Sequence, residues 1–175
     1  SLNKSLRAGV IGVIIVLLFM LIYYRLPGLV ADFALLIYIM LVLNIFSAIG
    51  ATLTLPGIAG FILSIGMAVD ANVLIFERMK EELRNGKTLR ASLTAGFTRA
   101  FSTIIDSNVT TAIAAVVLLY FGAGSIKGFA VTLLIGIAVS MFTAVTVTRI
   151  VLANLINVHS FKNIKLLFGV EGVKK

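Results

Sequence analysis

The sequence predicts an all-α polytopic membrane protein, and three observations carry that reading. Of its 175 residues, 60% are hydrophobic and 13% charged, with a mean hydropathy of +1.13, whereas soluble domains carry about 25% charged residues. The apolar residues gather into five runs, Ala8 to Tyr24, Leu29 to Gly50, Pro56 to Phe76, Ile104 to Phe121 and Ile126 to Leu152. Each is near the roughly 20 residues that cross a bilayer as a helix. Small residues recur at i,i+4 along two of the runs, the pattern that lets membrane helices approach closely.

The elements follow in chain order. Residues 1–7 read as an extracytoplasmic connector, and residues 8–76 hold the first three transmembrane helices. Arg25-Leu26-Pro27-Gly28 reads as a tight turn that makes the first two spans an antiparallel hairpin, because Pro presets φ at the second position and Gly tolerates positive φ at the third. Pro56 suits the first turn of the third span, where its missing N–H leaves no bond unmade.

Residues 77–103 form a cytoplasmic connector. Glu77 to Leu83 continues the third span, Glu81 and Arg84 pair at i,i+3, and Asn85-Gly86 caps the end. Thr88 then caps a cytoplasmic amphipathic helix whose Leu89, Leu93, Phe97 and Phe101 recur every fourth residue. Residues 104–152 hold the last two spans, and 153–175 form a cytoplasmic C-terminal tail.

Basic residues orient the chain. With five spans, twelve of the 15 Lys and Arg residues fall on one side: Arg25, Arg78, Lys80, Arg84, Lys87, Arg90, Arg99, Arg149, Lys162, Lys165, Lys174 and Lys175. Lys4, Arg7 and Lys127 fall on the other. The positive-inside rule then puts the N-terminus outside and the C-terminus in the cytoplasm. An outside N-terminus with no signal sequence implies an upstream segment, so the chain reads as a fragment.

Composition excludes several functions. The net charge of +8 is spread between apolar runs, without the aromatic-interleaved basic groove of a nucleic-acid binder. With no cysteine, and with the single His159 beyond the last span, neither thiol catalysis nor a metal site is expected.

Asp70 is the residue that demands a function. It lies eight residues, about 12 Å of helix, from Arg78 and fourteen, about 21 Å, from Pro56, so it cannot reach water along the span. A charge at that depth costs roughly 2.5–3.5 kcal/mol on insertion scales. Asp106, Asn108, Thr110 and Thr111 carry a polar strip into the fourth span. Such a set can take up and release a proton or bind a sodium ion. Asp32 and Arg149, nearer the ends of their spans, are expected to extend to the cytoplasmic interface.

Two ridges of small residues direct the packing. One is Gly124, Gly128, Thr132, Gly136, Ser140, Ala144 and Thr148; the other is Gly60, Ser64 and Ala68, leading to Asn72. Asp70 and Asn72 are expected near that seam, facing protein rather than lipid. A membrane aspartyl protease using Asp70 and Asp106 is disfavoured, because Val69 stands where the Gly-x-Gly-Asp signature needs glycine.

Several long motifs then resemble one family. Gly66-Met67-Ala68-Val69-Asp70-Ala71-Asn72-Val73-Leu74-Ile75-Phe76-Glu77-Arg78 resembles the fourth-span motif of the SecD branch of the SecD/SecF protein-export family. Leu53-Thr54-Leu55-Pro56-Gly57-Ile58-Ala59-Gly60 resembles the segment before it. Arg99 to Thr111 resembles the fifth-span motif, and Gly124 to Ala130, Ser140 to Ala144 and Thr148-Arg149 the sixth. Together they cover about residues 5 to 155.

The resemblance implies five spans of a six-helix bundle half of the resistance-nodulation-division (RND) superfamily, lacking the first span and the large extracytoplasmic domain. It implies a subunit of the Sec machinery in the bacterial cytoplasmic membrane that uses the H+ or Na+ gradient to help preproteins across after SecA-driven insertion. It implies a translocase subunit rather than a hydrolytic enzyme. SecF, the SecYEG channel with SecA, YajC, YidC, the preprotein and the lipid bilayer are the implied partners. Asp70 matches the family's intramembrane aspartate, while Asp106, Asn108 and Thr111 fall on a span lining the same ion path. An RND-type exporter of small molecules or lipids is the alternative.

Overall fold

The structure, a computed structural model, describes residues 2–51, 54–158 and 167–170. All regular elements among them are helices: α1 Leu2–Tyr24, α2 Leu26–Ala48, α3 Leu55–Arg84, α4 Leu89–Phe121, α5 Ser125–Phe142, a π-helical turn Thr143–Thr148, and α6 Arg149–Val158. Helices are what a bilayer permits, since every backbone N–H and C=O must find its partner within the segment. Among the described residues, five stretches are long and apolar enough to span a membrane, the last being the continuous rod Ser125–Val158. Leu53, His159, Lys162, Lys165, Lys174 and Lys175 lie outside the described residues.

Two connections and one ion pair differ from the sequence expectation. The α1–α2 turn is a single residue, Arg25, with φ 55°; α2 already starts at Leu26, and Leu29 N–H donates to Arg25 C=O at 3.0 Å. Pro27 fits that first turn without losing a bond, so Gly28 is helical and buried. The expected amphipathic helix and fourth span are one helix of 33 residues. Its polar stretch stays helical because Leu93, Phe97 and Ala100 bury their side chains with Ile75, Met79 and Leu83 of α3. On the surface, Arg78 rather than Arg84 pairs with Glu81, at 2.9 Å.

The caps follow expectation. The Thr54 and Thr88 hydroxyls accept from Gly57 N–H (3.2 Å) and Ala91 N–H (3.3 Å), satisfying donors that a helix start leaves open. Asn85 N–H bonds back to Glu81 C=O, and Gly86 takes φ 88° just after it, a conformation glycine adopts without a Cβ clash.

The most extensive packing joins α3 to α5, and the small-residue ridges make it. Gly60, Ser64, Ala68 and Asn72 are buried on α3; Thr132, Gly136, Ser140, Ala144 and Thr148 are buried opposite. A methyl group on Gly136 would overlap the Ser64 side chain and come within 3.0 Å of the Tyr38 hydroxyl. Tyr38 donates to Ser64 Oγ at 2.6 Å in the same place, so three helices meet there. Gly124 stands apart from the ridge, exposed at the start of α5.

One end of the bundle is basic, with Arg25, the α3–α4 connection and Arg149 together. Its core gathers Met20, Tyr24, Phe76, Met79, Leu83, Leu152, Phe168 and Val170. Lys80 continues the α3 ridge and is buried there, its ammonium 4.5 Å from the Tyr24 ring centroid, 4.9 Å from that of Tyr23 and 3.5 Å from Glu77. Glu82, also buried, pairs with Arg99 at 2.8 Å and with Lys87.

Candidate functional site

Asp70 lies in a groove of about 180 Å3 between α3 and α4, lined by Met67, Ala71 and Leu74 on one side and Ile104, Ser107, Asn108 and Thr111 on the other. The periodicity of the two helices builds it. Positions 67, 70, 71 and 74 share one face of α3, and 104, 107, 108 and 111 share one face of α4, at the three- and four-residue spacings of a helix surface.

The polar atoms of α4 are oriented by their own backbone. Ser107 Oγ donates to Ile104 C=O at 3.1 Å, and Thr111 Oγ1 donates to Ser107 C=O at 3.0 Å. With each hydroxyl proton committed to a carbonyl, the oxygen keeps lone pairs for the groove. Asn108 is 7% exposed and adds an amide, which can donate or accept. A carboxylate facing acceptor oxygens and one amide suits a proton or a small cation as the third party.

Asn72 belongs to the opposite face of α3. Two residues turn a helix by about 200°, so the ridge that buries Asn72 points Asp70 away from the α5 seam. Asp70 is accordingly exposed on the groove face, contrary to the expectation that both acid and amide sit at the small-residue seam. Asn72 Oδ1 instead accepts from Thr148 Oγ1 at 2.7 Å, and its Nδ2 donates to Ala68 C=O at 3.2 Å. Thr148 ends the π-helical turn, a distortion that occurs often at functional sites.

The polar strip of α4 divides in the same way. Asn108 and Thr111 face Asp70, whereas Asp106 and Thr110 lie on an exposed face, with Thr110 Oγ1 donating to Asp106 C=O at 2.8 Å. The structure therefore brings Asp70, Asn108 and Thr111 together, adds Ser107, and leaves Asp106, Thr110 and Asn72 out of the groove. Ser107 was legible from its spacing, since it precedes Thr111 by four residues and follows Ile104 by three.

Known proteins resemble the chain along nearly its whole length. Residues 2–158 match the family model described as protein export membrane protein SecD/SecF, C-terminal. The chain is 64% identical over 161 residues to protein translocase subunit SecD of Acidaminococcus fermentans, covering 92% of this chain and 39% of that one. It is 64% identical over 152 residues to the protein of the same name from Synechocystis, covering 87% and 32%. The crystal structure of SecDF, a translocon-associated membrane protein from Thermus thermophilus, superposes with a TM-score of 0.88 at 42% identity, covering 92% of this chain and 22% of that one. The chain thus spans less than half the length of each of these relatives.

Proposed function

Since the chain belongs to the SecD/SecF C-terminal family, a family of multi-pass membrane proteins concerned with protein export, we propose that it is the ion-carrying membrane part of a Sec translocase subunit. The single observation that supports this best is the α3–α4 groove, where Asp70 faces Ser107, Asn108 and Thr111. In this reading Asp70 binds and releases a proton, or a sodium ion, as the bundle moves against a partner half.

Protonation removes a charge that otherwise demands polar company, so it can bias a two-state packing. Each charge that crosses 100 mV supplies about 2.3 kcal/mol for the movement. Asp70 is open on the groove face, which suits closure by helices of SecF. The work is delivered to a preprotein that SecA has already pushed into SecYEG, with YajC and YidC as further partners. The membrane is the bacterial cytoplasmic membrane, with the basic end of the bundle inside.

Preprotein export into inverted vesicles, with full-length protein and partner subunit present, tests the function. Dissipating the ion gradient is expected to lower export to the level of vesicles lacking the protein. Equal export with and without the protein, at full gradient, would overturn the proposal.

A further inference from the structure

A second acid is enclosed in a different way. Asp32 lies early in α2, and the sequence pattern expects it to reach the membrane interface. Instead, both of its carboxyl oxygens are shut off from the surface, and neither has a hydrogen-bond partner among the described residues. Among the described residues no ion pair reaches it.

Its depth follows from the Tyr38–Ser64 hydrogen bond. Asp32 is six residues, about 9 Å of helix, from Tyr38, and Asp70 the same from Ser64, both toward the basic end. Both acids therefore lie on the basic-end side of the residues that make that bond, on different helices. Asp70 opens to α4, whereas α2 packs against α1, α3, α5, α6 and the π-helical turn.

Among the described residues, none of those elements brings a counter-charge into an ion pair with Asp32. On α1, Tyr24 packs on Phe76, with ring centroids 5.6 Å apart. On α3, Asp70 faces the groove and Lys80 is held by Tyr23, Tyr24 and Glu77. From Phe129 to Thr148 there is no charged residue, and the one charge on α6, Arg149, lies over the Phe97 ring at 5.8 Å. Arg25, at the head of α2, is seven residues or about 10 Å of helix away.

A carboxylate whose two oxygens are shut off in this way, with neither donor nor cation among the described residues, is untenable as a charge. A proton needs one oxygen to neutralise it, whereas a bare cation needs a shell of oxygens. We propose that Asp32 is a proton-binding carboxyl of the bundle, neutral while α2 is packed against the π-helical turn. The inference goes beyond the export reading and does not depend on the role of Asp70.

Infrared spectroscopy of the full-length protein and its partner subunit in liposomes, with isotope-labelled aspartate, tests it. At neutral pH the unsubstituted protein and Asp70→Asn are expected to show a protonated-acid C=O band that Asp32→Asn loses. If Asp32→Asn does not fold, Asp32→Glu is expected to transfer the band to labelled glutamate. A band unchanged by Asp32→Asn would overturn the proposal. So would a label that stays with aspartate in Asp32→Glu, or an acid band replaced by a carboxylate band when sodium is added at fixed pH. Export plays no part in the readout, so failure here is separate from failure of the export reading.

Discussion

Two residues apart on α3, Asp70 and Asn72 face different neighbours. Asn72 is 3% exposed and tied to Thr148, while Asp70 looks out into the α4 groove. Thr148→Val would leave Asn72 Oδ1 unpaired in the interior, a loss of about 1–3 kcal/mol. Thermal unfolding of the purified protein in detergent should register it as a lowered midpoint. The acid and the amides were legible in the sequence as polar atoms in apolar runs; their directions were harder to read. Proximity in sequence suggested a shared site, but a 200° turn separates Asp70 from Asn72, and another separates Asp106 from Asn108. Asp32 was misplaced for a related reason: its distance from the span end allowed it to reach water, but nothing in the sequence shows that its two oxygens are shut off from the surface.

Among the elements, the α3–α5 pair is the tightest joint, and the sequence announced it through two small-residue ridges. Gly136→Ala would force a methyl group into Ser64, costing about 1–3 kcal/mol through overpacking. Adding Ser64→Gly should restore part of that stability, since the two changes meet at one contact and will not be additive; denaturant or thermal titration of the single and double variants measures it. Other elements were less legible. The polar stretch Thr94 to Ser102 conceals the continuity of α4, which depends on burial against α3. The π-helical turn Thr143–Thr148 contains neither Pro nor Gly to mark it, so it reflects the packing around it rather than local preference.

For the molecule as a whole, five candidate spans and one basic end predict an orientation that can be tested. The chain has no cysteine, so cysteines introduced singly report topology without background from this segment. In the full-length protein freed of other cysteines, Lys4→Cys is expected to react with an impermeant reagent on intact cells, and Lys87→Cys only after the inner face is exposed. The reverse pattern would invert the topology. Span number and hairpin order were legible because apolar length and loop charge are properties of the sequence alone. The open side of the Asp70 groove was not, because it is defined by what the described helices leave uncovered.

The most direct test of the Asp70 groove compares two acids in one assay. Gradient-driven export would be measured for full-length protein carrying Asp70→Asn or Asp106→Asn, each with its partner subunit. Loss of the gradient-dependent part in Asp70→Asn, with Asp106→Asn retaining it, is the predicted result, because only Asp70 faces Ser107, Asn108 and Thr111. Undiminished gradient-driven export by Asp70→Asn would contradict the account.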